Sequence, residues 1–141
     1  IVFIHDLSPQ NSDMGKDWTN YYDEAMKGAI PELTKMRDEG IIKAWGFGVN
    51  TADAVYKAID VADFDICLLA LQYSILDHEQ ALEKTFPMLD EKGISVVVGA
   101  PLNGGFLAGR NRFNYSPKIP QPMAEKFSKI NKVAQTHGID I

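Results

Sequence analysis

Cysteine is almost absent, with only Cys67 in 141 residues. A lone thiol forms no intramolecular disulfide, so no disulfide framework holds this fold. Basic charge is scarce as well: 14 Lys and Arg face 19 Asp and Glu, for a formal charge of −5. No basic cluster offsets that acidity, and a phosphate-backbone footprint for nucleic acid is missing. Long apolar runs are missing too, since none approaches the ~20 residues of a membrane-spanning helix. The opening Ile1-Val2-Phe3-Ile4 has neither the basic flank nor the length of a signal peptide. Nucleic-acid and membrane partners are therefore not expected. Cys67, inside the apolar run Ile66-Cys67-Leu68-Leu69, reads as a buried, inert thiol in a reducing cytoplasm. Asn114-Tyr115-Ser116 spells a glycosylation sequon, but without secretory context the match reads as chance.

What is present is ordinary globular material, 45% hydrophobic and 23% charged, of a length that suits one domain. Four short apolar runs, Ile1–Ile4, Ala44–Val49, Ile66–Leu71 and Ile94–Val98, read as strands buried on both faces of a parallel sheet. Helical spacing separates them. Tyr22, Ala25, Met26, Ala29, Ile30, Leu33 and Met36 share one helical face, with Gly40 as the stop and Pro31 predicting a kink or break. Thr51 is placed to cap a helix through Val55, Ala58 and Ile59. Asp77 is expected to open another, with Ala81, Leu82, Phe86 and Leu89 inward, although Pro87 interrupts it. A Gly-, Asn- and Pro-rich loop from Asn103 to Pro122 precedes a last helix marked by Met123, Phe127, Ile130 and Ala134.

Strict β-α alternation with helix-length connections means parallel strands joined by right-handed crossovers. Two architectures satisfy it: a doubly wound open sheet, and part of a (β/α)8 barrel, which takes ~250 residues when complete. Periodicity does not choose between them. The first strand and the chain's end both look cut free of their neighbours, so residues 1–141 read as one partial domain of a longer protein.

In either architecture the chemistry sits beyond the carboxyl ends of the strands. Those ends read Ile4-His5-Asp6, Val49-Asn50, Leu71-Gln72-Tyr73 and Gly99-Ala100-Pro101-Leu102-Asn103-Gly104-Gly105. They deliver an imidazole, two amides and a glycine-rich loop to one rim, a site-like series. His5 is able to donate to a substrate oxygen or move a proton, although a lone histidine is more often satisfied by a backbone carbonyl. In an extended chain Asp6 points to the opposite face from His5, so the two are not expected to form a dyad. Asn50 and Gln72 each carry a donor and an acceptor that match a primary carboxamide or sugar hydroxyls, with loop capping as the competing role. Gly99 to Gly105 permits close backbone approach to a ligand, or simply a tight turn. Trp18, Tyr21 and Tyr22 read as loop anchors before they read as the lining of a substrate mouth. Gly46-Phe47-Gly48 lacks the third glycine of a dinucleotide fingerprint, and no Walker loop or Gly-x-Ser-x-Gly elbow exists. His5, His78, His137 and Cys67 lack metal-ligand spacing, so no metal is expected.

Three stretches together resemble the aldo/keto reductase family. Ile4-His5-Asp6 is similar to the family's strand bearing a catalytic histidine. LTKMRDEGIIKAWGFGVN, Leu33 to Asn50, resembles its helix, glycine turn and strand ending in asparagine. ISVVVGAPLNGGFLAG, Ile94 to Gly109, resembles the strand and cofactor loop, in wording most like the sugar and pyridoxal dehydrogenase branch. The resemblance implies about the fourth to seventh strands of a (β/α)8 barrel and hydride transfer between a carbonyl and an alcohol with NAD or NADP. It implies that His5 is catalytic and that Asn50, Pro101, Leu102, Asn103 and Gly105 bind the cofactor; Gln72, two residues beyond the family's glutamine position and so on the same strand face, is expected to reach the same carboxamide. The tyrosine, lysine and aspartate of the family's tetrad are expected upstream of Ile1. A small aldehyde, ketone or sugar is the expected substrate, and self-association through unpaired strand edges is an expectation as well. Departures are visible: Val49 replaces the usual serine, Ala70 the usual glutamine, and Gly99 the aromatic that often stacks on the nicotinamide. These losses keep open an alternative, a non-catalytic cofactor-binding or regulatory subunit of the same fold.

Overall fold

The protein is described by a computed structural model covering residues 1–139 and 141. Four strands form one parallel sheet: β1 (Val2–His5), β2 (Trp45–Val49), β3 (Ile66–Ala70) and β4 (Ser95–Gly99). Their spatial order is their chain order, β1-β2-β3-β4. The apolar runs locate each strand to within one or two residues. Ile1 and Ile94 fall just outside, because hydrophobicity marks burial and not ladder pairing.

Between the strands lie α1 (Asn20–Lys27), α2 (Ala29–Asp38), α3 (Ala52–Val61) and α4 (Phe86–Glu91), and α5 (Gln121–Thr136) closes the chain. The break expected at Pro31 falls instead at Gly28, between α1 and α2. Pro31 then sits in the first turn of α2, where a missing N–H costs no helical bond. Gly40, with φ +74, stops α2 as expected. Thr51 caps α3, its hydroxyl accepting from the Ala54 N–H at 3.4 Å. Asp77 opens no helix: its N–H is held by the Ser74 hydroxyl at 3.2 Å, and helical residues begin at 79. A π turn over Ala81–Thr85 precedes α4. It widens the helix just where Pro87 lacks a donor and crowds the Glu83 carbonyl.

In-register pairing puts Ile4, Phe47, Cys67 and Val96 on one face of the sheet, and His5, Gly48, Leu68 and Val97 on the other. The first face joins residues of α1 to α4 in a single core built around Trp45, Phe47, Val49, Phe64, Cys67 and Leu69. The second face is made small by Gly46, Gly48, Ala70 and Gly99. A separate cluster of Leu76, Phe106 and Leu107 seats α5 through Met123, Phe127 and Ile130, and it contains no strand residue. Helices on one face and strands in chain order are consistent with a sector of a (β/α)8 barrel. A doubly wound sheet would reverse strand order and carry helices on both faces. Among the described residues no helix is long and apolar enough to cross a membrane.

Candidate active site

The rim beyond the carboxyl ends of the strands is where the backbone is most distorted. The residue directly after β1, β3 and β4 is left-handed in each case: Asp6 (φ 59), Leu71 (φ 66) and Ala100 (φ 51). None is glycine, and such a conformation costs roughly 1–2 kcal/mol for an L-residue. The ladder compensates, because the Asp6 N–H still bonds the Gly48 carbonyl at 2.8 Å and the Leu71 N–H bonds the Gly99 carbonyl at 3.1 Å.

That left-handed turn corrects one expectation. Asp6 does not point away from His5; its Oδ2 lies 3.7 Å from His5 Nδ1. Strand alternation does not survive a left-handed residue, and the carboxylate swings back beside the ring. The imidazole itself is 71% exposed and lies over Gly48, its partner in register.

Asn50, the residue directly after β2, is almost buried, at 7% exposure, and its carboxamide is held from the β1 side. Ser8, fully buried, donates its hydroxyl to Asn50 Oδ1 at 2.5 Å. Asn50 Nδ2 makes no hydrogen bond among the described residues. Gln72 reaches the same residue from β3, its Nε2 donating to the Asn50 backbone carbonyl at 3.0 Å. A carbonyl only accepts, so this bond fixes which end of the Gln72 amide faces Asn50, and Oε1 makes no hydrogen bond among the described residues. The pair therefore presents one amide donor and one amide acceptor side by side.

Both residues line a cavity of about 670 Å³ together with Gln10, Leu71 and the segment from Phe113 to Gln121, which includes Lys118. Pro101 and Leu102 lie elsewhere, on a neighbouring depression with Tyr73, His78 and Leu107. Asn103 is buried and works inside its loop: its Nδ2 donates to Asn114 Oδ1 at 3.2 Å, and its carbonyl accepts the Asn114 N–H at 2.9 Å. The glycines of this loop are explained the same way. A Cβ on Gly104 would meet the Asn114 carbonyl oxygen at 2.3 Å, and one on Gly105 would meet the Arg110 side chain at 2.6 Å. Both have positive φ. Their close approach is to their own loop, which they fold into the wall that Asn114 and Tyr115 give the cavity.

The structure thus gathers Asn50 and Gln72 at one cavity and sets His5 on the adjoining strand, two positions along β2 from Asn50 in register. It sends Pro101 and Leu102 to the next depression. Sequence reasoning missed Ser8, Gln10 and the 113–121 wall. A polar Ser8 right after a strand was a readable signal, but its partner is 42 residues away. Of the aromatics, Tyr22 is a core anchor: its hydroxyl lies 3.0 Å from the Leu7 carbonyl and 2.9 Å from that of Ala54. It ties the turn carrying Asp6 and Ser8 to α3. Burial pushes its phenol well above the usual range, and pushes the Cys67 thiol up to about 12. Neither group is available as a nucleophile at neutral pH.

Comparison with known proteins identifies the family. A sequence model of the aldo/keto reductase family matches residues 1–141. D-threo-aldose 1-dehydrogenase from Pseudomonas sp is 27% identical over 146 aligned positions, which cover 100% of this chain and 41% of that protein. Pyridoxal 4-dehydrogenase from Microbacterium luteolum is 31% identical over 119 positions, 81% of this chain and 34% of that protein. The chain spans less than half the length of either relative.

Proposed function

This chain belongs to the aldo/keto reductase family, and from that premise we propose that it serves an NAD- or NADP-dependent oxidoreductase that interconverts a carbonyl and an alcohol. One observation carries the cofactor half of this reading. Asn50 and Gln72 both line the cavity, and Asn50 Nδ2 and Gln72 Oε1, which make no hydrogen bond among the described residues, are the donor and the acceptor that a primary carboxamide needs. Gln72 stands two residues from the family's usual position, now Ala70, and the structure shows its amide anchored on Asn50.

When bound, the nicotinamide would supply or take up the hydride. This chain's residues would do the rest at their end of the site. Asn50 and Gln72 would hold the carboxamide and so orient the nicotinamide, and orientation of that kind is a large part of catalysis of hydride transfer. His5 directs an imidazole N–H at the substrate oxygen. The interaction strengthens as that oxygen gains negative charge, so it favours the transition state over bound substrate. Asp6 places a carboxylate 3.7 Å from Nδ1, an opposite charge beside the ring whenever the imidazole carries a proton on both nitrogens.

Both named relatives are dehydrogenases, acting by name on a D-threo-aldose and on pyridoxal, which favours an enzyme over a cofactor-binding subunit. A small aldehyde or sugar is the proposed substrate class. The test is direct. Full-length protein incubated with NAD or NADP and a panel of aldoses and pyridoxal should produce reduced nicotinamide. Absence of turnover together with absence of dinucleotide binding would overturn the proposal.

A further inference from the structure

We propose that Ser8 is a positioning residue of the cofactor site, which sets the orientation of the Asn50 amide so that its NH2 group faces the cavity. The inference deepens the carboxamide reading above and rests on it.

Ser8 Oγ and Asn50 Oδ1 are 2.5 Å apart. O–H···O bonds run from about 2.5 to 3.0 Å and N–H···O bonds from about 2.7 to 3.2 Å, so the amide atom facing Ser8 is its oxygen. The remaining contacts of the hydroxyl agree. The Gln10 N–H donates to Ser8 Oγ at 3.4 Å, and Thr51 Oγ1 lies 3.4 Å away on another side. Thr51 Oγ1 already accepts from the Ala54 N–H as the cap of α3, which leaves its own hydrogen for Ser8. Ser8 Oγ then accepts twice, and its single hydrogen goes to Asn50.

Burial gives the arrangement its consequence. Ser8 is fully buried and Asn50 nearly so. Ser8 is closed to bulk solvent, so an amide turned the other way would lose this short bond without exchange for a solvent one, and would turn its oxygen away from Ser8. Gln72 already offers Oε1, and two acceptors would face a ligand that needs one of each. Ser8 thereby selects a bound group carrying an acceptor opposite Asn50 and a donor opposite Gln72.

The experiment compares two ligands on the full-length protein by calorimetry: the dinucleotide, and ADP-ribose, which lacks the nicotinamide. Ser8→Ala should weaken the dinucleotide about three- to tenfold, the scale of one net hydrogen bond, and leave ADP-ribose affinity unchanged. Asn50→Asp, which keeps an acceptor for Ser8 and removes the donor, should show the same selective loss. Adding Ser8→Ala to Asn50→Asp should then produce no further one. If the alanine variant does not fold, Ser8→Cys keeps similar volume with only a weak donor and carries the same comparison. Equal losses for both ligands, or none for either, would overturn the role of Ser8 alone. A wild-type protein that binds the dinucleotide no better than ADP-ribose would instead overturn the carboxamide reading beneath it.

Discussion

His5 and Gly48 are partners in register across β1 and β2, and a Cβ at position 48 would stand 3.0 Å from the imidazole Cδ2. The glycine is therefore what lets the ring pack this close over β2. Its φ is not left-handed, so alanine meets no backbone penalty there, and the exposed ring is free to give way. Gly48→Ala should lower turnover several-fold through displacement of His5, while stability changes by less than about 1 kcal/mol, as for most unstrained substitutions. Melting curves beside turnover check this. Unchanged turnover in the alanine variant would show that the placement of the ring does not matter.

Gly104 makes a different demand. With φ +69 and the Asn114 carbonyl oxygen 2.3 Å from a would-be Cβ, alanine strains the backbone and drives the two loop segments apart. The cost is on the order of 1–2 kcal/mol from the left-handed conformation alone. Gly104→Ala should loosen the 113–116 wall, weaken dinucleotide binding and speed tryptic cleavage at Arg110 and Arg112. The same cleavage rate and affinity as wild type would contradict it.

Tyr22 links the β1 turn to α3 through a phenol shared by two buried carbonyls. Tyr22→Phe removes the one hydrogen that the two carbonyls share and takes the hydroxyl donor from the Leu7 carbonyl, at about 1–3 kcal/mol, while the Ala54 carbonyl stays in the ladder of α3. Chemical denaturation measures the loss directly. A midpoint equal to wild type would mean that the hydroxyl does not anchor the turn.

The buried acids predict an alkaline limit. Burial raises the Cys67 thiol from 9.0 to about 12 and the Tyr22 phenol upward from 10.0. Above the unfolded thiol's value the folded chain holds more protons than the unfolded one, so stability falls as pH rises. The contribution is complete below about pH 9 and declines toward pH 12, with a limiting slope near 1.4 kcal/mol per pH unit for Cys67 alone. Denaturant midpoints between about pH 8 and about pH 10.5 should drop less steeply in Cys67→Ala than in wild type. Parallel pH profiles would contradict the assignment.

Which features the sequence made legible follows from their range along the chain. Strands announced themselves because β-branched runs such as Val96-Val97-Val98 need no partner to be recognised. Helix stops at Gly40 and the Thr51 cap were equally local. The barrel-like choice was not, since it depends on helices α1 to α4 all covering the face of Phe47 and Cys67, a fact about packing. Asn50 and Gln72 could be named as polar groups at strand ends, but not as a coupled pair. Ser8 escaped because its partner lies 42 residues on, and Asp6 because one left-handed residue cancels the alternation that placed it. Gly105 looked like a ligand-approach residue and sits against the Arg110 side chain, five residues along the loop.

The central claim is a division of labour at the rim, with His5 on the reacting oxygen and Asn50 on the part of the cofactor that does not react. The decisive measurement is turnover and dinucleotide affinity of His5→Ala in the full-length protein, recorded with its melting curve. Removing one such donor is worth ~2.7–4 kcal/mol in the transition state, so turnover should fall about a hundred- to a thousandfold while dinucleotide affinity stays within about twofold of wild type. A well-folded His5→Ala protein with full turnover would contradict the account.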